Sequence, residues 1–292
     1  MDISSLLFGY SKALYSNWMF YKPDHLLIDC GEGAATNLGN GSYAIEKVLL
    51  THGHVDHIAG LPTLLWSRAA GMGANEKPLT IFHPQGDSYL ADMVEYLAHT
   101  SRRLTYDLEW KPLEAGAEIP LRDKRRAVTF ATRHIPNTLT IGYKILETRR
   151  RLKAEYSHFT ESEIRARAEK GGRDAIDEIM ETYDATLIAF GGDGLPLNPD
   201  DVQNAEVLVH EATLLDSKDR KGERHSTLDE AVGVAAAAQA KTLVLQHVSG
   251  RYEKREVEVA ARHARAKHEY SGALWCLFHN RLWQISESKS KG

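Results

Sequence analysis

The chain has 292 residues, is 42% hydrophobic and carries a net charge of −4, which leaves ample core for one large domain or two small ones. A pI of about 6.4 excludes a global basic field that would draw the whole molecule to nucleic acid, so any RNA contact must come from local patches. No run reaches membrane-spanning length, no signal-peptide core opens the chain, and Cys30 and Cys276 sit in apolar runs as small buried hydrophobes. A reduced, cytoplasmic setting is expected.

The opening, 1–17, assigns itself to no element. Trp18-Met19-Phe20-Tyr21 reads as a strand and Lys22-Pro23-Asp24-His25 as a turn. Leu26–Cys30 is a short buried strand closed by Gly31-Glu32-Gly33, and Lys47–Leu50 is its partner. His57 to Met72 reads as a helix with Ile58, Leu61, Leu64, Leu65 and Ala69 on one face, ended by Gly71 and Gly73. Leu79–His83 is a strand, and Asp87 to Arg103 a helix with Leu90, Val94, Leu97 and Ala98 inward. Val128–His134 alternates as a strand and pairs with Ile141–Ile145.

Tyr156 to Tyr183 is charged and helix-like with little apolar face; it reads as a projecting arm or a lid. Strands return at Thr186–Phe190, Val207–Val209 and Thr242–Leu245. Between the last two lies a helix, Thr227 to Ala240, capped by Ser226 or Thr227 with Glu230 as box partner. A helix over Lys254–Lys267 and a strand over Leu274–Phe278 close the chain, and the polar tail from Ser286 to Gly292 is expected to fray. Strands alternate with helices and no linker interrupts them, so 1–292 reads as one α/β domain with 146–185 as a charged helical insertion.

The chemistry concentrates in Thr51-His52-Gly53-His54-Val55-Asp56-His57, directly after an apolar strand. Imidazole and carboxylate ligate divalent transition metals, zinc foremost. His52 and His54 are two apart and face one way on extended chain, so they can hold one ion; Asp56 and His57 follow the turn and can hold a second. The other strands also carry polar residues at their ends: His134, Asp193 and His247.

The His-x-His-x-Asp-His stretch resembles the signature of the metallo-β-lactamase fold superfamily, which implies a four-layer αββα sandwich. The resemblance assigns His52, His54 and His134 to a first zinc ion, Asp56, His57 and His247 to a second, and Asp193 as the bridge. Manganese or iron could replace zinc on such donors. Two ions about 3.5–4 Å apart clamp an in-line displacement, which suits phosphodiesters, and Asp56 could orient the nucleophile between them.

Further stretches are similar to ribonuclease Z, the endonuclease family that trims precursor tRNA: Asp29–Gly33, Gly142-Tyr143, His210-Glu211-Ala212-Thr213, His225-Ser226-Thr227 and His247–Tyr252. His225 is not among the ligands, so it can protonate the leaving alkoxide if a carboxylate keeps it charged, and Glu211 is the candidate partner. Arg251 is a candidate phosphate contact, with Ser226 and Thr227 beside it.

The chain departs from that pattern in three places. A single glycine, Gly9, stands where a Gly-rich turn is usual; Gly194 replaces the threonine of Gly-Asp-Thr; and 146–185 contains no proline, whereas many members carry a Gly-Pro element in the tRNA-holding arm. That segment holds Arg149, Arg150, Arg151, Lys153, Arg165, Arg167 and Lys170, interleaved with Glu155, Glu161, Glu163, Glu169, Asp174, Asp177, Glu178 and Glu181. An RNA clamp and a solvated helical pair, such as a homodimer contact, both fit it. A second basic cluster, Arg122 with Lys124-Arg125-Arg126, reads as a loop between strands. The expected function is zinc-dependent removal of the 3′ trailer of precursor tRNA. The rivals are a phosphodiesterase for small or cyclic nucleotides and, further off, a lactone or thioester hydrolase, which the His225/Glu211 pair argues against.

Overall fold

The computed structural model describes residues 2–71, 77–222 and 224–286. The first sheet is built from β1 (Leu7–Lys12), β2 (Ser16–Tyr21), β3 (Leu26–Ile28), β4 (Lys47–Leu49), β5 (Leu79–Pro84) and β6 (Leu108–Leu113), in that order. The second runs β14 (Arg281–Gln284), β13 (Ala273–Phe278), β12 (Thr242–Gln246), β11 (Val207–Glu211), β10 (Met180–Phe190), β9 (Thr140–Leu152), β8 (Arg125–Thr132), β7 (Glu118–Pro120). Between the sheets, Ile28, Leu49 and Phe82 meet Tyr143, Ile145, Phe190 and Val209. Tyr143 donates its hydroxyl to the carbonyl of Leu50 at 2.7 Å, which ties one sheet to the other.

Helices cover both outer faces. On the first sheet, after the short α1 (Ala34–Leu38) and α2 (Val55–Ile58), α3 (Leu61–Gly71) and α4 (Ser88–Thr100) bury Leu61, Leu64, Leu65, Leu90 and Leu97 against Leu27, Val48 and Ile81. The second sheet is covered by α6 (Leu228–Ala237) and α7 (Lys254–Lys267), with α5 (Glu161–Ile179) placed between β9 and β10. This is the expected αββα sandwich. The centres of both sheets, β3 to β6 and β10 to β13, are parallel, so their carboxyl ends gather at one rim.

Several expected elements have different bounds. The unassigned opening forms the β1–β2 hairpin, and β6, β7 and β14 were not anticipated. The helix expected from His57 is broken at Gly60, where a Cβ would collide with the carbonyl of Gly31. Its expected end at Met72 and Gly73, and the tail from residue 287, lie outside the described residues. Ala98, expected inward on α4, is exposed. The segment expected to be helical from Tyr156 to Tyr183 is helical over Glu161–Ile179 with a kink at Gly172, where φ is +64°; its last residues pair in β10 with β9, where Arg149, Arg150 and Arg151 oppose Tyr183, Thr182 and Glu181. The cluster at Arg122–Arg126 is a turn entering β8, and its arginines meet Glu46, Asp24 and Asp184.

Candidate metal centre

The turn after β4 delivers the His cluster. His54 is the extended residue that precedes α2, so Asp56 and His57 fall in that helix's one turn while His52 and His54 stay on extended chain. Gly53 has no room for a side chain: a Cβ would lie 2.6 Å from Asp87 Oδ1, while Asp87 Oδ2 accepts from the Gly53 N–H at 2.8 Å. The same Asp87 caps α4.

The other sheet supplies the remaining donors. His134 lies two residues beyond β8, Asp193 three beyond β10, and His247 follows β12. Three imidazole nitrogens meet, with His54 Nδ1 at 3.1 Å from His52 Nε2 and 3.0 Å from His134 Nε2. Beside them, His57, Asp56, His247 and Asp193 form a second group, with His247 Nε2 3.0 Å from Asp193 Oδ2 and 3.3 Å from Asp56 Oδ2. Asp193 Oδ2 is also 3.3 Å from His57 Nε2, and a carboxylate oxygen of Asp193 lies within 4.8 Å of a ring nitrogen of His134.

The far side of each ring decides whether a cation fits. His134 Nδ1 faces the Arg224 carbonyl at 2.8 Å, which accepts only, so this nitrogen carries the proton and Nε2 keeps its lone pair. His57 Nδ1 faces Asp29 at 2.7 Å; burial opposes charge on this ring, but the Asp193 and Asp29 carboxylates raise its pKa well above the ordinary value, so positive charge is favoured here. His57 Nε2 and Asp193 Oδ1 are buried and have no hydrogen-bond partner. Imidazole nitrogens and carboxylate oxygens therefore converge on one buried spot whose acids favour positive charge, an arrangement that a cation satisfies. Burial, reinforced by neighbouring imidazoles, lowers the pKa of His52, His54 and His134 below the ordinary value and keeps them in the neutral form that ligates.

His225 adjoins both sets, with its ring centre 4.9 Å from that of His134 and 5.5 Å from that of His247. Its Nδ1 is 2.9 Å from Glu211 Oε1. Burial opposes charge on His225, but the Glu211 carboxylate outweighs it and raises the pKa. Glu211 is itself fully enclosed and is fixed by N–H donors of Gly194, Thr213 and Ser226.

The family model for Anti-Pycsar protein Apyc1 matches residues 9–176, from β1 into α5. Ribonuclease Z of Gemmatimonas aurantiaca is 30% identical over 259 residues, 81% of each chain. The chain belongs to the ribonuclease Z family and, over residues 9–176, to that of Anti-Pycsar protein Apyc1. Two solved structures share its fold. The metallo-β-lactamase fold protein YhfI of Bacillus subtilis has a TM-score of 0.66 at 16% identity, covering 95% of this chain and 98% of that one. Short-form human tRNase Z has a TM-score of 0.63 at 20% identity, covering 96% and 99%. The chain is a metal-dependent hydrolase, and its His/Asp centre takes a divalent metal.

The family's motifs take up distinct duties here. His210 of the His-Glu-Ala-Thr stretch is structural: its Nε2 accepts from the Leu197 N–H. Gly194, where the family usually has threonine, cannot carry a side chain, because φ is +152° and a Cβ would lie 2.6 Å from the Arg133 carbonyl. Ser226 and Thr227, expected at the substrate, are buried and turned inward. Ser226 Oγ donates to the Gly194 carbonyl at 2.8 Å, and Thr227 caps α6 in a box with Glu230. Arg251, expected on a phosphate, lies along Ser249 and Tyr252 with Asp219 Oδ2 at 4.0 Å.

Three residues at the centre were not singled out from the sequence. Asp29 holds His57 and also accepts from the Thr51 N–H. Thr213 Oγ1 donates to Glu211 at 2.6 Å and sits 2.9 Å from His247 Nδ1. Leu14, at the tip of the β1–β2 hairpin, donates its N–H to Asp56 at 3.0 Å. For Asp29 and Thr213 the signal was available, as polar residues at the ends of apolar strands inside the quoted stretches. For Leu14 there was none, because a backbone N–H has no sequence signature.

Proposed function

We propose that this chain is a phosphodiester hydrolase that removes the 3′ trailer from precursor tRNA with two zinc ions. His52, His54 and His134 would hold one ion, and Asp56, His57 and His247 the other, with Asp193 bridging. A metal held there supplies a Lewis acid for the phosphoryl oxygens and water of lowered pKa.

The chain's own residues do the rest. Asp56 presents a carboxylate oxygen toward the pair of sets and orients the attacking water. Glu211 keeps His225 protonated and points its Nδ1 inward, which leaves Nε2 to give a proton to the departing ribose oxygen. A single observation carries the reading: an imidazole paired with a buried carboxylate, beside a cluster of His and Asp side chains that could hold a metal. A thioester needs no such donor as urgently, because its thiolate departs more readily than an alkoxide.

A second reading, a phosphodiesterase for small or cyclic nucleotides, is favoured by the insertion at 146–185. Most of its arginines are already paired: Arg149 with Glu147 and Glu206, Arg150 with Asp177, Arg151 with Glu181, and Arg167 with Glu178. An arm neutralised in this way offers little charge to a tRNA. The two readings separate in one assay that sets a 3′-extended precursor tRNA beside 3′,5′-cyclic nucleotides, with a chelator control. A metal-dependent cut mapped to the 3′ side of the acceptor stem supports the first; turnover of the cyclic nucleotide with the precursor intact sinks it.

A further inference from the structure

The centre lies between two flanks, and each carries positive charge that the described residues leave without an acidic partner. On one flank, Arg133 and Arg224 line a cavity of about 660 Å³ that opens beside His134. Both backbones are fixed there: the Arg224 carbonyl accepts from His134, and the Arg133 carbonyl accepts from the Leu195 N–H at 2.8 Å. Both side chains are exposed.

On the other flank, Lys12 Nζ sits 3.8 Å over the ring of Tyr15 at the tip of the β1–β2 hairpin. That tip is fastened to the centre by Leu14 N–H on Asp56 and by Ala13 N–H on the Val248 carbonyl. Tyr15 is 64% exposed and Leu14 79%, a large apolar exposure for a loop with no role in the core. His134 belongs with His52 and His54, whereas Asp56 belongs with His57 and His247, so each flank is fastened to a different donor set.

These cations differ in kind from those of β9. The arginines of β9 fold down onto carboxylates of their own hairpin and of Glu206. Arg133, Arg224 and Lys12 do not, although each stands within a few residues of the proposed machinery. An arginine in that position presents a planar fork to phosphate, and an exposed tyrosine presents a face to a base.

We propose that Lys12 with Tyr15 on one side, and Arg133 with Arg224 on the other, form a track that holds the phosphates flanking the scissile one. The centre is then shaped for a polynucleotide strand. A cyclic mononucleotide has a single phosphate and leaves both flanks empty. This inference rests on the reading of the chain as an RNA nuclease and adds where the strand runs: across the metal centre and not along the insertion.

The test is equilibrium binding of a fluorescent single-stranded RNA with hydrolysis-resistant phosphorothioate linkages to the full-length, zinc-loaded protein, read by anisotropy across a salt series. Each phosphate contact on a single strand contributes about 0.7 to the slope of log K against log salt. The Arg133→Gln/Arg224→Gln pair is expected to lower the slope by about 1.4 and Lys12→Gln by about 0.7. Tyr15→Ala should weaken binding with the slope unchanged. Arg150→Gln/Arg151→Gln, on the insertion, should leave the slope as it is. Slopes unmoved by the flank substitutions, or moved by the insertion pair instead, overturn the track while leaving the nuclease reading intact. Failure of the unsubstituted protein to bind RNA overturns both. Binding that follows the expected slopes, in a protein that does not trim a precursor, keeps the track and removes the tRNA assignment.

Discussion

Asp29 governs the centre without joining it. Its carboxylate is 1% exposed, holds His57 Nδ1 at 2.7 Å and accepts from the Thr51 N–H at 2.8 Å, so it sets both the tautomer of one ring and the path of the chain before His52. Removing such a partner typically costs about 10–100-fold in metal affinity. Asp29→Ala is therefore expected to lower metal affinity by that order in a competition titration with a chelating dye, and unchanged affinity would refute the role. The His225–Glu211 pair has a pH signature. Burial pulls the His225 pKa down, and Glu211 pulls it up past the ordinary value. A general acid works in its protonated form, so activity is full below that raised pKa and falls as pH rises through it. Glu211→Gln removes the supporting charge and should move this alkaline limb to lower pH in kcat/KM profiles; a limb that stays in place assigns it to another group.

At the scale of elements, the insertion is a hairpin whose two long strands extend the second sheet and whose helix is capped by a Thr160/Glu163 box. Its ion pairs are largely solvent-exposed, each contributing roughly 0–1 kcal/mol, so the hairpin is held mainly by its strand pairing. Replacing 153–179 with a short turn between β9 and β10 is expected to leave hydrolysis of bis(p-nitrophenyl) phosphate unchanged, since no donor of the centre lies in that span. Loss of that activity would show that the helix supports the centre.

This insertion is also where the sequence was least legible. Thr148 to Leu152 is charged, and charge on both faces of a strand removes the alternation by which strands are recognised. The buried strands β4, β11 and β12 read clearly because all of their residues but Lys47 are buried, and the His/Asp cluster stood out because its members follow strand ends. Ser226 and Thr227 were misplaced for a different reason: a hydroxyl in a motif can face substrate or backbone, and the choice depends on Gly194, 32 residues away from Ser226.

At the scale of the molecule, the centre joins the two sheets. His52, His54, Asp56 and His57 follow the first sheet, while His134, Asp193 and His247 belong to the second. A ligand that binds only the folded chain adds about 2.7 kcal/mol at 100 times its Kd. Chelation should therefore lower Tm, and excess zinc should restore it; a Tm indifferent to both would remove the ion from the sandwich. Acid should act on the same region. Burial opposes charge on Asp193 and Glu211, yet neighbouring histidines hold both below the ordinary carboxylate range. Groups lowered in the folded state contribute stability above their unfolded pKa and lose it as pH falls through the folded value. Melts taken downward from pH 5 should show Tm falling progressively, and a flat profile would mean that these carboxylates are not charged in the fold.

The central claim is that His225 delivers the proton that a poor leaving group needs. The direct measurement compares His225→Ala with the unsubstituted enzyme on RNA, whose leaving ribose oxygen requires a proton, and on bis(p-nitrophenyl) phosphate, whose p-nitrophenolate leaves without one. General acid catalysis is worth about 10²–10⁴-fold, so RNA cleavage should fall by that order while the activated diester falls far less. An equal loss on both substrates would contradict the account and place His225 in the support of the centre instead.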